Sequence, residues 1–451
     1  MYFRPKATYV KSGNMDKPPT QFQPFKPRFL PAAPGPAYKW LIVAMLWWIS
    51  FFNYADRQAI FSVFPLLREE MNLSDIELGM LGSSFAWVYG LCAPCAGLVV
   101  DRVRRKTAIL GGLHAWSLIC TATALSQKFR HLVFFRAAEG IGETFYYPAS
   151  MSMLSDYHGN RTRSTALGFH QTSVYAGTIG GGYLAGLLGE RYGWRWSFVV
   201  FGGLGIVLGL VLHRFLREPR RGAADQAESL ELKPQSQETR LPVLDTLRIV
   251  WSKPTVWFLM LAFMCAMFVN MVLLAWMPDF LHRRFNLGLA EAGFNATFYA
   301  QVASMLGAPL GGLLADWLRR WILCGRSLVQ ALAVLTAAPC VFACGRAETL
   351  SETILVLSAW GLCKGIYDAN IFAAVYEVIP PAARGTTAGF MNMLGWLGGG
   401  ASAPLFIGYL SQQRGLAFAV SASALVYVQS GICLLVAGLV FLRRDIGRWK
   451  Q

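Results

Sequence analysis

The sequence predicts an all-α membrane protein, with twelve transmembrane helices in two pseudo-symmetric six-helix bundles. Three observations lead there. Of the 451 residues, 55% are apolar and 15% are charged, against about 25% charged in an ordinary soluble domain, and the mean hydropathy is +0.40. The apolar residues gather in runs of about 20 or more, the helix length that a bilayer core requires. The second half of the chain also repeats charged and glycine-rich motifs of the first. Helices suit such runs and barrel strands do not, because lipid cannot satisfy an open backbone and the runs are too long for strands of about 10 residues.

In chain order, residues 1–39 are polar and Pro-rich ("KPPTQFQPFKPRFLPAAPGP"). They lack the apolar core of a signal peptide and are expected to form a flexible cytoplasmic tail. The first bundle, 40–216, takes spans near 40–64, 78–100, 107–126, 131–153, 164–188 and 195–216. A cytoplasmic linker, 217–253, begins with few apolar residues. It ends in "LPVLDTLRIVW", which sets Leu244, Leu247 and Val250 on one helical face and predicts a short helix on the membrane surface. The second bundle, 254–444, takes spans near 255–280, 292–316, 326–345, 352–378, 386–410 and 416–442, and 445–451 form a second cytoplasmic tail.

A net charge of +16 would suggest nucleic-acid binding in a soluble protein. In a membrane protein its distribution reports topology, since Lys and Arg stay on the cytoplasmic side. The expected tails, the linker and the loops "DRVRRK", "HGNRTR" and "LRRW", with Arg384, carry about 29 of the 41 basic residues, and the opposite loops about nine. Both termini are therefore expected in the cytoplasm and the protein in the plasma (inner) membrane. The nine cysteines lie mostly inside apolar runs, where a free Cys packs as a small hydrophobe. No P-loop, nucleophile elbow or metal-spaced His/Cys cluster is present, so neither an enzyme nor a cofactor is expected.

Charges inside the spans are the candidates for function, because a charge at the bilayer centre costs about 2.5–3.5 kcal/mol on insertion scales and normally faces the bundle interior or an aqueous cavity. The first span has Asp56 and Arg57, the fourth Arg136, Glu139 and Glu143, and the tenth Lys364, Asp368 and, near its end, Glu377. Arg136, Glu139 and Glu143 stand at i, i+3 and i+7, one stripe of a helix. Lys364 and Asp368 stand at i and i+4 and can pair along their own helix. Asp56 and Arg57 are about 100° apart around a helix, so each is expected to meet a different neighbour: Arg57 either Glu143 or an anionic substrate, and Asp56 Arg136. A structural reading, in which these are simply buried ion pairs, stands beside the functional one. His170 and Gln171 read as a packed histidine and a polar neighbour.

The halves repeat each other. "GLVVDRVRRK" (97–106) matches "GLLADWLRRW" (312–321), "RSTALGF" (163–169) matches "RGTTAGF" (384–390), and "EGIGE" (139–143) matches "KGIYD" (364–368). Asp156 stands seven residues before Arg163, as Glu377 does before Arg384, and "GGG" recurs at 180–182 and 398–400. Duplicated halves imply a central site at the repeat interface and one half rocking against the other.

Over residues 40–444 these features resemble the major facilitator superfamily. The Gly97, Asp101, Arg102, Arg105 and Lys106 pattern is similar to its signature loop, with Arg104 where a Gly commonly stands. "NYADR", "RAAEGIGE" and "GWRWSF" resemble the Spinster branch, which moves sphingoid and lysophospholipid-type amphiphiles, while "ETFYYP" resembles the organic anion:cation symporter branch. The resemblance implies the major facilitator fold, a cavity lined by the first, fourth, seventh and tenth helices, and a gate of Asp101, Arg102 and Arg105 that holds the halves together when the protein faces outward. Asp316, the match of Asp101, and the repeated pairs Asp156/Glu377 and Arg163/Arg384 join that gating set.

The expected function is secondary active transport by alternating access, coupled to protons, in a monomer whose partners are a small-molecule substrate, protons and the bilayer, with no nucleic acid. The expected substrate is a lysolipid-like amphiphile. A sugar-acid-like organic anion is the second reading, and a non-transporting membrane sensor a third.

Overall fold

The structure is a computed structural model. It describes residues 37–159, 161–219, 248–380 and 383–450, with 98, 101 and 447–450 described by backbone alone. The expected N-terminal tail up to residue 36, most of the linker, and Leu244 and Leu247 of the expected surface helix lie outside the described residues; 248–251 are helical.

Every regular element among the described residues is a helix. The first half contains α1 (Tyr38–Ser62), α2 (Phe64–Met71), α3 (Asp75–Arg102), α4 (Arg105–Thr123), α5 (Phe129–Thr144), α6 (Tyr146–Tyr157), α7 (Arg163–Tyr192) and α8 (Trp194–Phe215). In the second are α9 (Pro254–Phe285), α10 (Leu289–Arg319), α11 (Gly325–Cys344), α12 (Leu350–Asp368), α13 (Ile371–Tyr376) and α14 (Arg384–Leu394). A π-helical turn, Gly395–Gly400, leads into α15 (Ser402–Arg414), followed by α16 (Leu416–Ala422), α17 (Ala424–Val436), a second π turn at Ala437–Phe441, and α18 (Leu442–Lys450). Joined end to end where they are only interrupted, these helices make twelve rods in the order that the hydropathy pattern predicts. Six are long and apolar enough to cross a bilayer by composition alone. The rods bearing Asp56, Glu143 and Asp368 are outside that set, being charged, polar or broken.

The breaks have local causes. Pro65 has no N–H to give the Phe61 carbonyl, and the first rod resets at Val63. Pro148 likewise cannot bond to the Thr144 carbonyl, and the fourth rod breaks at Phe145. In the tenth rod the break falls at Ala369–Asn370, where the Asn370 amide donates to the carbonyls of Gly311 at 2.9 Å and Ile366 at 3.0 Å. The fourth and tenth rods thus break just past corresponding acids, Glu143 and Asp368.

The halves meet at mid-depth and at the end away from the "DRVRRK" loop, called here the far end. On that side α7 crosses α10 so closely that a Cβ on Gly293 would lie 2.1 Å from the Gly182 carbonyl oxygen. Gln58 donates to the Leu274 carbonyl at 3.0 Å, and Leu405 N–H donates to the Ser83 hydroxyl at 3.2 Å. Among the described residues, the hydrogen bonds and ion pairs between the halves all lie at mid-depth or the far end.

Candidate transport site

Helix α1 carries Asp56 and Arg57 into the interior, 3% and 9% exposed. Consecutive positions point about 100° apart, and the two side chains meet different surroundings. Arg57 donates through Nε to Glu143 of α5. Its guanidinium carbon lies 4.8, 4.9 and 4.7 Å from the rings of Tyr54, Phe85 and Tyr89, and 5.9 Å from that of Trp396. One carboxylate and a box of aromatic faces therefore hold this cation in a dry site. Its Nη1 has no hydrogen-bond partner.

Asp56 makes no ion pair with Arg136, the partner expected for it. Arg136 bonds to Glu139 on its own helix, because the i, i+3 spacing on α5 satisfies it locally. Its guanidinium lies 4.9 Å from the Phe85 ring, which Arg57 also contacts. Asp56 instead faces Glu139 and Cys120 of α4, with one oxygen of each acid and the Cys120 sulfur all within 4.8 Å of one another. Asp56 Oδ1, Glu139 Oε1 and Glu143 Oε1 are buried without partners. This cluster thus buries three carboxylates with two guanidiniums, which leaves one negative charge if all five are ionised.

In the second half Lys364 Nζ donates to Asp368 at 2.7 Å, the expected i, i+4 pair. The pair is wetter, since the Asp368 side chain is 43% exposed. It borders a pocket of about 50 Å³ with Phe263, Asn270 and Tyr367. Among the described residues no hydrogen bond or ion pair joins it to the Asp56–Arg57 cluster. A larger cavity, about 330 Å³, has no charged residue in its lining, which is Trp257, Phe258, Met260, Leu261, Met264 and Leu394.

Among the described residues, the expected gating residues form one network in each half. Arg105 pairs with Asp156 at 2.7 Å and donates to Ser152 at 2.6 Å, while the backbone N–H groups of Arg105 and Lys106 donate to Glu218. Arg163 donates to the carbonyls of Ser155 and His158. Arg102 is exposed, and the Asp101 side chain lies outside the description. The matching set joins Arg319 and Arg326 to Glu377 at 2.6 and 3.1 Å, and Arg326 to Asp316 at 2.7 Å. Arg384 donates to the Tyr376 carbonyl at 3.2 Å.

A further group escapes sequence reasoning. At the far end Arg68 donates to Asp75 and Asp279, and so does Arg283, over 2.6 to 2.9 Å. Ser411 also donates to Asp75, at 2.6 Å. Arg68 and Asp75 belong to the first half and the others to the second, so this clasp shuts the far end. Its charges stand near helix ends, where sequence reads them as topology; the one available signal is Asp279, an acid inside the apolar "AWMPDF".

Two like helical halves, a buried charged cluster at mid-depth and a clasp that closes one end define a multi-pass membrane transporter rather than an enzyme. The chain belongs to the Major Facilitator Superfamily, whose model matches residues 46–403. It is 28% identical to Protein spinster homolog 1 of Homo sapiens, over 91% of this chain and 82% of that protein. It is 25% identical to the D-galactonate transporter of Escherichia coli O6:H1, over 92% and 98%. Its fold is similar, at a TM-score of 0.77 and 22% identity over 92% of this chain and 99% of the other, to a bacterial homolog of the human lysosomal transporter Spinster in an inward-facing, unoccupied conformation. Twelve transmembrane helices in two six-helix bundles, the major facilitator fold, are thus its architecture.

Proposed function

We propose that this transporter couples movement of an anionic amphiphile to movement of a proton, with Arg57 as the anion-binding group and Asp56 as the proton carrier. The observation that carries the reading is the imbalance of the first-half cluster. Glu143 and Glu139 each pair with a guanidinium, and Asp56 makes no ion pair among the described residues. A buried carboxylate without a cation is costly when ionised, so a proton belongs there whenever the cluster is shut from water. Arg57 offers an unpartnered N–H to an incoming oxyanion. Lys364 and Asp368 line the second-half side of the route. Arg102, Arg105 and Asp156, with Asp101, and the matching Arg384, Asp316 and Glu377 act as the gate at the cytoplasmic end, with Arg163 bracing it. Both termini lie in the cytoplasm, the membrane is the plasma (inner) membrane, and the transporter works as a monomer.

The entirely apolar 330 Å³ cavity beside α9 suits an acyl chain and favours a lysolipid-like substrate. The second reading, a sugar-acid-like anion, rests on the similarity to the D-galactonate transporter over nearly its whole length.

A thermal-shift screen of purified protein against lysolipids and sugar acids tests the substrate class. Lysolipids are expected to stabilise it, and Arg57→Ala to abolish that shift. Stabilisation by D-galactonate alone would hand the site to the second reading. Full proton-driven uptake by Asp56→Asn protein in proteoliposomes would end the proton assignment.

A further inference from the structure

Three of the four rings around the Arg57 guanidinium, those of Tyr54, Phe85 and Tyr89, belong to the first half; the fourth, Trp396, belongs to the second. Trp396 also packs on Tyr89, with ring centroids 5.1 Å apart. It is the side chain by which the second half reaches the buried cation.

The backbone beneath it is unusual. Trp396 lies in the π-helical turn Gly395–Gly400, where Ala401 N–H donates to the Trp396 carbonyl at 2.7 Å. Such turns are rare and recur at functional sites. The matching stretch of the first half, "TIGGG" at 178–182 against "WLGGG" at 396–400, lies within the regular α-helix α7. There Thr178 replaces the tryptophan and donates to its own helix, at the Val174 carbonyl. The duplicated element therefore departs from its twin at the turn that touches Arg57.

On its other side the turn presses on α9. A Cβ on Gly399 would lie 2.2 Å from the Met264 carbonyl oxygen, and one on Gly395 would lie 2.4 Å from the Phe263 ring. Phe263 also lines the pocket beside Lys364 and Asp368. One turn of backbone thus bridges the Arg57 cluster of the first half and the charged pocket of the second.

We propose that Trp396 is the positioning residue that couples the two halves, a step that rests on the reading of Arg57 as the binding group. While Glu143 is ionised it holds Arg57 in the aromatic box, and the ring of Trp396 ties the second half to that cation. When Glu143 loses its charge, or an anion draws Arg57 away, the tie is lost. A π turn carries an extra residue, and its relaxation towards α-helix turns the segment by about 100°. The change passes to α9 and to the far-end clasp at Asp279 and Arg283.

The test reads amide hydrogen exchange of purified full chain at one pH, in peptides covering 64–75 and 274–289. Glu143→Gln supplies the charge loss without a ligand. Exchange in the clasp is expected to rise about tenfold in the Glu143→Gln protein. With Trp396→Leu added, the response to Glu143→Gln disappears, and with Trp396→Phe it persists. Trp396→Met, which keeps bulk without an aromatic face, takes the place of the leucine variant if that does not purify. An equal response with and without the tryptophan overturns the role of Trp396 and leaves the switch at Arg57 standing. No response to Glu143→Gln in the unaltered background overturns both. A phenylalanine variant that behaves like the leucine one removes the aromatic face as the cause.

Discussion

Asp56 and Arg57 are neighbours in the chain and strangers in space. One faces Glu139 and Cys120, the other Glu143 and a box of rings. The arrangement makes each guanidinium of the cluster hard to remove. Arg136→Leu leaves Glu139 buried without a cation, and removing one partner of a buried pair costs about 3–5 kcal/mol. Thermal unfolding should therefore fall sharply for Arg136→Leu and recover largely in Arg136→Leu with Glu139→Gln. A single variant as stable as the parent would mean that the pair is hydrated. At this scale sequence carried the residue types but not every partner. The i, i+3, i+7 stripe on the fourth span and the neighbouring charges of the first make Arg57 and Glu143 legible as facing groups. Asp56 was misassigned because Arg136 had a nearer acid on its own helix, a local solution that outcompetes a contact between helices. The rings of Tyr89 and Trp396 were not legible, because aromatics in an apolar span look alike whether they face lipid or a cation.

Among elements, glycine decides how the halves approach. The α7–α10 crossing leaves no room for a methyl group, since a Cβ on Gly293 meets the Gly182 carbonyl oxygen at 2.1 Å. Gly293→Ala must push the two helices apart at the far end. We expect it to disfavour the closed far end, read as increased labelling of that end by a membrane-impermeant reagent relative to the parent. Unchanged labelling would mean that the crossing can shift without opening. Hydropathy gave the order of the rods but not the breaks beside Pro65 and Pro148, since it reads 40–64 and 131–153 as unbroken spans. It could not give the π turn at Gly395–Gly400, because "GGG" occurs in both halves and lies in a π turn in only one. The packing of the glycines does not distinguish the halves, since a Cβ on Gly399 would lie 2.2 Å from the Met264 carbonyl oxygen and one on Gly181 would lie 2.2 Å from the Ala55 carbonyl oxygen; what differs is the residue two before the triplet, Trp396 against Thr178.

Across the whole molecule, closure at one end is carried by the clasp of Arg68, Asp75, Asp279, Arg283 and Ser411. Because Ser411 donates to Asp75 at 2.6 Å, cysteines introduced as Asp75→Cys and Ser411→Cys in a background without other thiols should form a disulfide that stops uptake, and reduction should restore it. Uptake that survives the crosslink would show that this end does not open during the cycle. The charge bias of the loops makes topology readable, yet it hides the clasp, since Arg68 and Arg283 fall between the expected spans, where a basic residue reads as a loop charge.

The odd carboxylate of the first-half cluster has an electrical consequence. With all five groups ionised the cluster carries one uncompensated negative charge. When access switches sides, the fraction of the membrane field that this charge feels switches too, and a full unit charge crossing 100 mV is worth about 2.3 kcal/mol. A proton on Asp56 cancels it. On this reading the carrier loaded with a proton and a monoanion carries the same single negative charge as the empty one, so membrane voltage acts on both crossings and leaves only the protonated, substrate-free carrier untouched.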